Sequence, residues 1–447
     1  MGYSKKKWPI LSVHSRPNRW KNLLTTVLLV FIAIGPIVKA QDSRPNIIFI
    51  LADDLGWGDL RAYGNTDDIK TPNLNRLARE GMRFTQFYVN APLCSPSRVA
   101  FMTGRFPAEL GIHSGEGMPN RPLDPNVPTV PDVLKRAGYV TAHFGKFHLT
   151  PSGCSGCPRP EEYGLDKYSG ATKKDPYYWA KSTEFIVDEV IPFIEANRNK
   201  PFYINVWTYL PHSPLNPTEE QLSQYKYLEP SPKLPYKSAR QIYYASVTAI
   251  DTAIGRLLKK LNEFGLENNT IVLFSSDNGP PSILGEISAG HSGVGSTGPF
   301  RGEKSYLTEG GICTPFIVRW PGHVPAGRVD NTSVISAVDL LPTLAKIIGI
   351  DSLNDPDLDG EDVSGIIFGT PRIRIKPLLW EKRYLQSPPN LVIRDGNWKF
   401  LINSNGSHEL YDIPNDPSEL QNETLKQSLL VEQLKQKLLD WKATLPK

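Results

Sequence analysis

Four apolar runs in this sequence stop abruptly at polar residues, and three of them follow a stretch of helical spacing. NIIFIL (46–51) runs into Ala52-Asp53-Asp54. YVTAHF (139–144) follows VPDVLKRAG and runs into Gly145-Lys146-Phe147-His148. FYINVWTYL (202–210) follows EFIVDEVIPFIEANR and meets Pro211-His212-Ser213-Pro214. TIVLFSS (270–276) follows QIYYASVTAIDTAIGRLLKKLNEFG and meets Asp277-Asn278-Gly279. Continuous apolar runs alternating with helices predict an α/β fold, a large and mostly parallel sheet flanked by helices on both faces.

In open α/β sheets, ligands bind outside the carboxyl ends of the strands. Taken singly, an aspartate after a strand caps a helix and a histidine there satisfies a loop. Four such ends carrying polar residues predict a site. Asp53, Asp54, Asp277 and Asn278 offer only oxygen, a donor set that suits Ca²⁺ or Mg²⁺ and suits zinc poorly. Arg98, Lys146, His148, His212 and Lys304 add positive or proton-donating groups. A cation beside fixed positive charges describes a site for an anionic oxo group whose oxygens gain charge in the transition state.

The stretch NAPLCSPSRVAFMTGRFP (90–107) places a cysteine where a helix is about to start. Ser95 suits the N-cap, Pro96 the first helical position, and Val99, Ala100 and Met102 continue an apolar face. Cys94 then lies just ahead of the helix, where backbone N–H groups and the dipole favour negative charge. From this stretch alone, a small buried thiol is an equal reading. Cys154 and Cys157 form a CxxC with no second pair to complete a zinc site, which predicts a local disulfide in an oxidising compartment.

A chain of 447 residues predicts one large core with a smaller appendage. The formal charge is +4, but Lys5, Lys6, Lys7, Arg16, Arg19, Lys21 and Lys39 stand in residues 1–40 without an acid; removing those seven charges leaves −3. No nucleic-acid partner is expected. The short apolar run 23–38 and Val38-Lys39-Ala40 predict a signal peptide over residues 1–40, cleaved after Ala40, with an uncleaved anchor as the alternative. Either way the protein is expected to be exported, to a periplasmic, secreted or lumenal location. Beyond the 41–370 domain, PLLWEKRY, NLVIRDGNWKFLI and HELYDI predict antiparallel strands in a smaller 371–447 subdomain, with a hairpin turn at Asp395-Gly396. A closing helix with Leu425, Leu429, Leu430, Leu434, Leu438 and Trp441 as its core face follows.

CSPSR followed by TGR resembles the C-x-P-S-R…T-G-R signature of the type I, arylsulfatase-like sulfatases of the alkaline-phosphatase-like superfamily. The resemblance continues through PNIIFILADDLGWGDLRAYGN, GYVTAHFGKFHL, SSDNGP, FRGEKSYLTEGGICTPFIVRWPG and RDGNWKFLI…ELYDIPNDPSE. It implies that a formylglycine-generating or anaerobic maturation enzyme converts Cys94 to formylglycine, whose hydrate attacks the sulfur of a sulfate ester. The second hydroxyl then allows sulfate to be expelled, which serine or threonine could not do. The resemblance further implies Ca²⁺, with Mg²⁺ second, held by Asp53, Asp54, residue 94, Asp277 and Asn278. Arg98 would steady the diol, Lys146 and Lys304 would bind sulfate, and His148 would serve the diol hydroxyl. His212 would protonate the leaving oxygen or share that role with Lys304.

The expected substrate is a sulfated small molecule or glycan. Phosphoester or phosphonate hydrolysis on the same scaffold is the alternative, as is a non-catalytic binder of sulfated glycans if Cys94 stays a thiol. Phe147 stands where tryptophan is commoner, which predicts a packing role. Cys313 stands where arginine is commoner, which predicts a missing cation near the rim. The Cys154/Cys157 loop is expected beside the pocket, and His113 and His291 are expected to be ordinary loop histidines.

Overall fold

The computed structural model describes residues 44–446 except 65–67, 114–120, 152–153, 171–177, 229–237, 284–289, 352, 354 and 384–388. The expected leader, 1–40, and the proline-rich PSPKLPYK (230–237), which the sequence suggests is a surface loop, lie outside the described residues. No helix among the described residues is long and apolar enough to cross a membrane.

Eight strands form the main sheet, in the spatial order Lys167–Ser169, Val140–Gly145, Phe202–Trp207, Asn46–Ala52, Thr270–Ser276, Phe316–Arg319, Met82–Phe84, Arg328–Asp330. All run parallel except Phe316–Arg319, which is antiparallel to both neighbours. The four expected strands occupy the centre, where both faces are covered, and this is why they read as unbroken apolar runs.

Register assigns the faces. Phe49, Asn205 and His143 are in line, as are Ile50, Val206 and Phe144 one residue on. On the first face Phe49 meets Phe101 at 5.0 Å and Asn205 Nδ2 donates to Met102 Sδ at 3.5 Å, so the helix Cys94–Thr103 packs there. On the second, Phe144 meets Phe193 of the helix Tyr178–Asn197 at 5.7 Å. That helix lies against Ala239–Glu263. Successive strand side chains point to opposite faces, which produces the two layers.

The chain then builds a separate antiparallel sheet of four strands, Leu378–Glu381, Leu391–Asp395, Trp398–Ile402 and His408–Asp412. Asp395 pairs with Trp398, so Gly396 and Asn397 form a two-residue hairpin loop with Gly396 at φ 57°. The closing helix, Ser428–Thr444, differs from expectation in its apolar face. Val431, Leu434 and Leu438 are buried, whereas Leu425 and Leu429 are 96% and 82% exposed. Leu425 precedes the helix, and Leu429 falls outside the stripe that 431, 434 and 438 define at i, i+3 and i+7.

Candidate active site

Backbone hydrogen bonds carry the sheet ladder one residue past its strands. Asp53 N donates to Leu210 O at 3.2 Å, Lys146 N to Trp207 O at 2.9 Å and Asp277 N to Ala52 O at 3.1 Å. These three residues therefore stand on backbone held by the sheet. At Gly145, φ is 102° and a Cβ would lie 1.9 Å from Trp207 O, so only glycine lets the chain bring Lys146 round.

Cys94 is the first residue of its helix, which starts two positions earlier than the sequence suggests. Leu93 takes the N-cap place without a side-chain cap, and Pro96 falls at the third helical position, where its missing N–H is still of no consequence. Ser97 Oγ donates instead to Ala91 O at 2.7 Å, tying the first turn to the incoming chain.

The buried Cys94 Sγ lies 3.4 Å from Asp53 Oδ1, 3.8 Å from Asp54 Oδ1 and 3.6 Å from Lys304 Nζ. Three cations brace the three carboxylates. Lys146 Nζ donates to Asp53 Oδ2 at 2.6 Å, and Lys304 Nζ to Asp54 Oδ2 at 2.7 Å. Arg98 gives Nε and Nη2 to Asp277 Oδ2 at 3.0 and 2.6 Å, and Nη1 to Lys146 O at 2.7 Å. Its guanidinium also sits 5.2 Å from the Trp207 ring centre. Burial alone would disfavour every one of these charges; pairing retains them.

The electrostatics follow. Burial works against charge on Lys146, but chiefly Asp53 outweighs it and lifts the ammonium to about 12. Lys304 rises likewise, its burial outweighed by Asp54. Burial and the Asp53 charge push Asp277 up to about 6 against the pull of Arg98. Burial, then Asp277, pushes the Cys94 thiol well above its usual range despite the two lysines. A thiol so placed is a poor nucleophile.

Both histidines are shifted toward the neutral form. His148 sits at φ 54° with both ring nitrogens buried and without a hydrogen-bond partner among the described residues. Burial, then the Lys146 charge, holds it well below the usual histidine range. His212 sets Nδ1 2.6 Å from Ser213 O and Nε2 3.8 Å from Asp54 Oδ2, and burial lowers it too.

Asp53, Asp54, Cys94 and Asp277 each offer an atom within one 4.8 Å cluster. Asn278 Nδ2 donates to Asp54 Oδ1 at 2.7 Å, while Asn278 Oδ1 is buried without a hydrogen-bond partner. Crowded carboxylates and an orphaned amide oxygen fit an oxygen-seeking divalent cation. The structure thus gathers all ten expected positions, from Asp53 to Lys304, into one cluster.

Phe147 is buried against the rings of His143, Tyr163 and Tyr168. Cys313 is not at a rim: it is 1% exposed, with Sγ 3.5 Å from Thr85 O, and a bridge between Tyr88 and Cys313 holds its backbone inside. A cation absent there leaves the interior, not the substrate edge. Cys154 and Cys157 form a disulfide. His113 is buried 3.8 Å from Glu381, and His291 lies in the turn Gly290–Val294.

Two neighbours escaped the sequence reading. Trp207, under Arg98, was discoverable as the last residue of a central strand. Lys382, buried just after the strand Leu378–Glu381, donates to Ser305 O at 3.0 Å and had no sequence signal linking it to position 304.

A family model described as Sulfatase matches residues 45–350, and one described as N-sulphoglucosamine sulphohydrolase, C-terminal, matches 300–444. Human arylsulfatase A is 31% identical over 88% of this chain and 86% of its own. Mouse N-acetylgalactosamine-6-sulfatase is 32% identical over 75% of this chain and 69% of its own. The crystal structure of Ps i-CgsB in complex with k-i-k-neocarrahexaose superposes with a TM-score of 0.79 at 26% identity, covering 90% of this chain and 94% of that one.

Proposed function

From the premise that this chain belongs to the sulfatase family and is a sulfuric ester hydrolase, we propose how its own residues divide the reaction. The single observation that carries the assignment is Cys94 Sγ set among Asp53, Asp54 and Lys304, where the thiol itself is disfavoured as a nucleophile. Sγ marks the place of the formylglycine oxygens. Matured residue 94 supplies a hydrated aldehyde, a nucleophile with a second hydroxyl to expel sulfate.

Lys146 and Lys304, held charged by carboxylates, bind and orient the sulfate oxygens. Arg98 locks Asp277 and the Lys146 carbonyl in place. Neutral His148 accepts the proton of the second hydroxyl, and His212 delivers a proton to the leaving oxygen, with Lys304 sharing that role. Asp53, Asp54, Asp277 and Asn278, with residue 94, would hold a divalent cation, Ca²⁺ in preference to Mg²⁺, which would stabilise negative charge developing on oxygen. Residues 41–370 carry this chemistry, and 371–447 form the smaller subdomain.

A sulfated carbohydrate is the proposed substrate, supported by the N-acetylgalactosamine-6-sulfatase relative and by the neocarrahexaose complex. Export and encounter with a maturation enzyme are proposed from the sequence leader. Mass spectrometry of the 84–98 tryptic peptide, after expression with a maturation enzyme, tests the assignment. Aldehyde in place of thiol is expected; intact cysteine in an enzyme that turns over sulfate esters overturns it. Chelation is expected to abolish turnover and lower the thermal midpoint, with Ca²⁺ restoring both better than Zn²⁺.

A further inference from the structure

Away from the carboxyl ends of the strands, the fold builds a second basic feature. Arg79 closes the helix Pro72–Glu80 just before the strand Met82–Phe84, and Arg83 lies within that strand. Gly327 immediately precedes the neighbouring strand Arg328–Asp330. These positions surround the amino-terminal ends of two strands, whereas the cluster at Cys94 occupies the opposite ends of the sheet. Together with Arg61 and Asn75 they line a cleft of about 480 Å³ whose remaining walls are alanines; no acid lines it.

Two of these charges are not spent inside the protein. Among the described residues, the Arg79 and Arg83 side chains have no ion-pair or hydrogen-bond partner. The carboxylate next to Arg79, Glu80, is taken by Arg319 at 2.9 Å, with Arg76 at 3.9 Å. Arg79 is exposed and Arg83 half-buried. Asn75 Oδ1 is buried and also lacks a partner. Several guanidiniums around one concavity raise a positive potential, and their forked donors match the oxygens of sulfate or carboxylate.

We propose that this cleft is a secondary binding site for a sulfated saccharide chain, engaging its anionic groups through Arg79 and Arg83. The proposal rests on the sulfated-carbohydrate assignment above. Such a site holds polymer on the enzyme while another unit reaches position 94, so it lowers KM for long substrates and leaves small ones untouched.

The test uses matured full-length enzyme and the double substitution Arg79→Ala/Arg83→Ala, neither residue belonging to the catalytic cluster. Affinity for dextran sulfate at physiological salt is expected to fall about tenfold or more. Turnover of a small aryl sulfate is expected to stay unchanged, which also establishes folding, and Arg79→Lys/Arg83→Lys is expected to keep part of the affinity. Undiminished dextran sulfate binding by the double alanine variant would overturn the site. So would equal binding of unsulfated dextran by the native enzyme, or inorganic sulfate binding at the arginines as tightly as the polymer. Binding needs no turnover, so an enzyme that hydrolyses aryl but no carbohydrate sulfates would defeat the substrate assignment while the binding result still judged the cleft.

Discussion

Around position 94, the charged and neutral groups are sorted by what they touch. Each lysine has a carboxylate within 2.7 Å that favours its charged form, whereas desolvation holds His148 and the half-buried His212 below the usual histidine range. In the division of labour proposed above, anion binding falls to the lysines and proton exchange to the histidines. Nδ1 of His212 faces Ser213 O, which turns Nε2 toward the cluster, and an incoming sulfate would favour charging the ring. His212→Ala is expected to slow hydrolysis of an alkyl sulfate by about 10²- to 10⁴-fold. It should slow a nitrophenyl sulfate far less, because that leaving group departs without a proton. Equal losses on both would assign the proton to Lys304. The aspartates here were legible in the sequence because each ends a strand whose apolar run is unmistakable. The start of the Cys94 helix was not, since Leu93 occupies the N-cap without the side-chain bond that makes a cap recognisable.

At the scale of elements, the small sheet supports the catalytic loop. Lys304 is followed by Ser305, a non-glycine residue at φ 77°, a conformation that must be held from outside. Two bonds hold it: Ser305 N donates to Pro92 O at 3.0 Å, and Lys382 Nζ donates to Ser305 O at 3.0 Å. Pro92 leads into Cys94, so one loop is pinned to both the Cys94 helix and the small antiparallel sheet. Lys382→Met removes a charge-assisted bond of about 1.5–3 kcal/mol. The expected result is a fall in kcat of about tenfold or more, with partial rescue by Lys382→Arg. Unchanged kcat with a lowered thermal midpoint would make the bond structural only. Hydrophobic spacing located these elements but not their neighbours. The arginine commoner at position 313 suggested a rim position, but pairing with Tyr88 draws Cys313 inside.

Across the whole molecule, the small antiparallel sheet is tied to the larger domain by buried charge. Lys399 Nζ, from the second sheet, meets Glu309 at 2.8 Å and Glu419 at 3.0 Å, all nearly inaccessible. Tyr88 donates to Glu309 at 2.7 Å and Arg394 donates to Tyr88. Composition cannot reveal such a cluster, because its members are up to 331 positions apart and each looks like an ordinary surface charge. Lys399→Met strands two carboxylates in the interior, and a loss of about 3–5 kcal/mol in unfolding free energy is expected. The core also fixes a pH dependence. His143, enclosed by Trp207 at 4.9 Å and Phe147 at 5.2 Å, is pushed by burial from 6.5 to about 3, and burial of His113 takes it to about 4. Between those values and 6.5 the unfolded chain binds more protons than the folded one, so stability rises with pH across that window and is lost on acidification. Each histidine contributes a slope of up to about 1.4 kcal/mol per pH unit. His143→Phe keeps the ring packing and removes one titration. Denaturant unfolding between pH 4 and 7 should therefore show a shallower slope in the variant, and an unchanged slope would mean that His143 is not buried neutral.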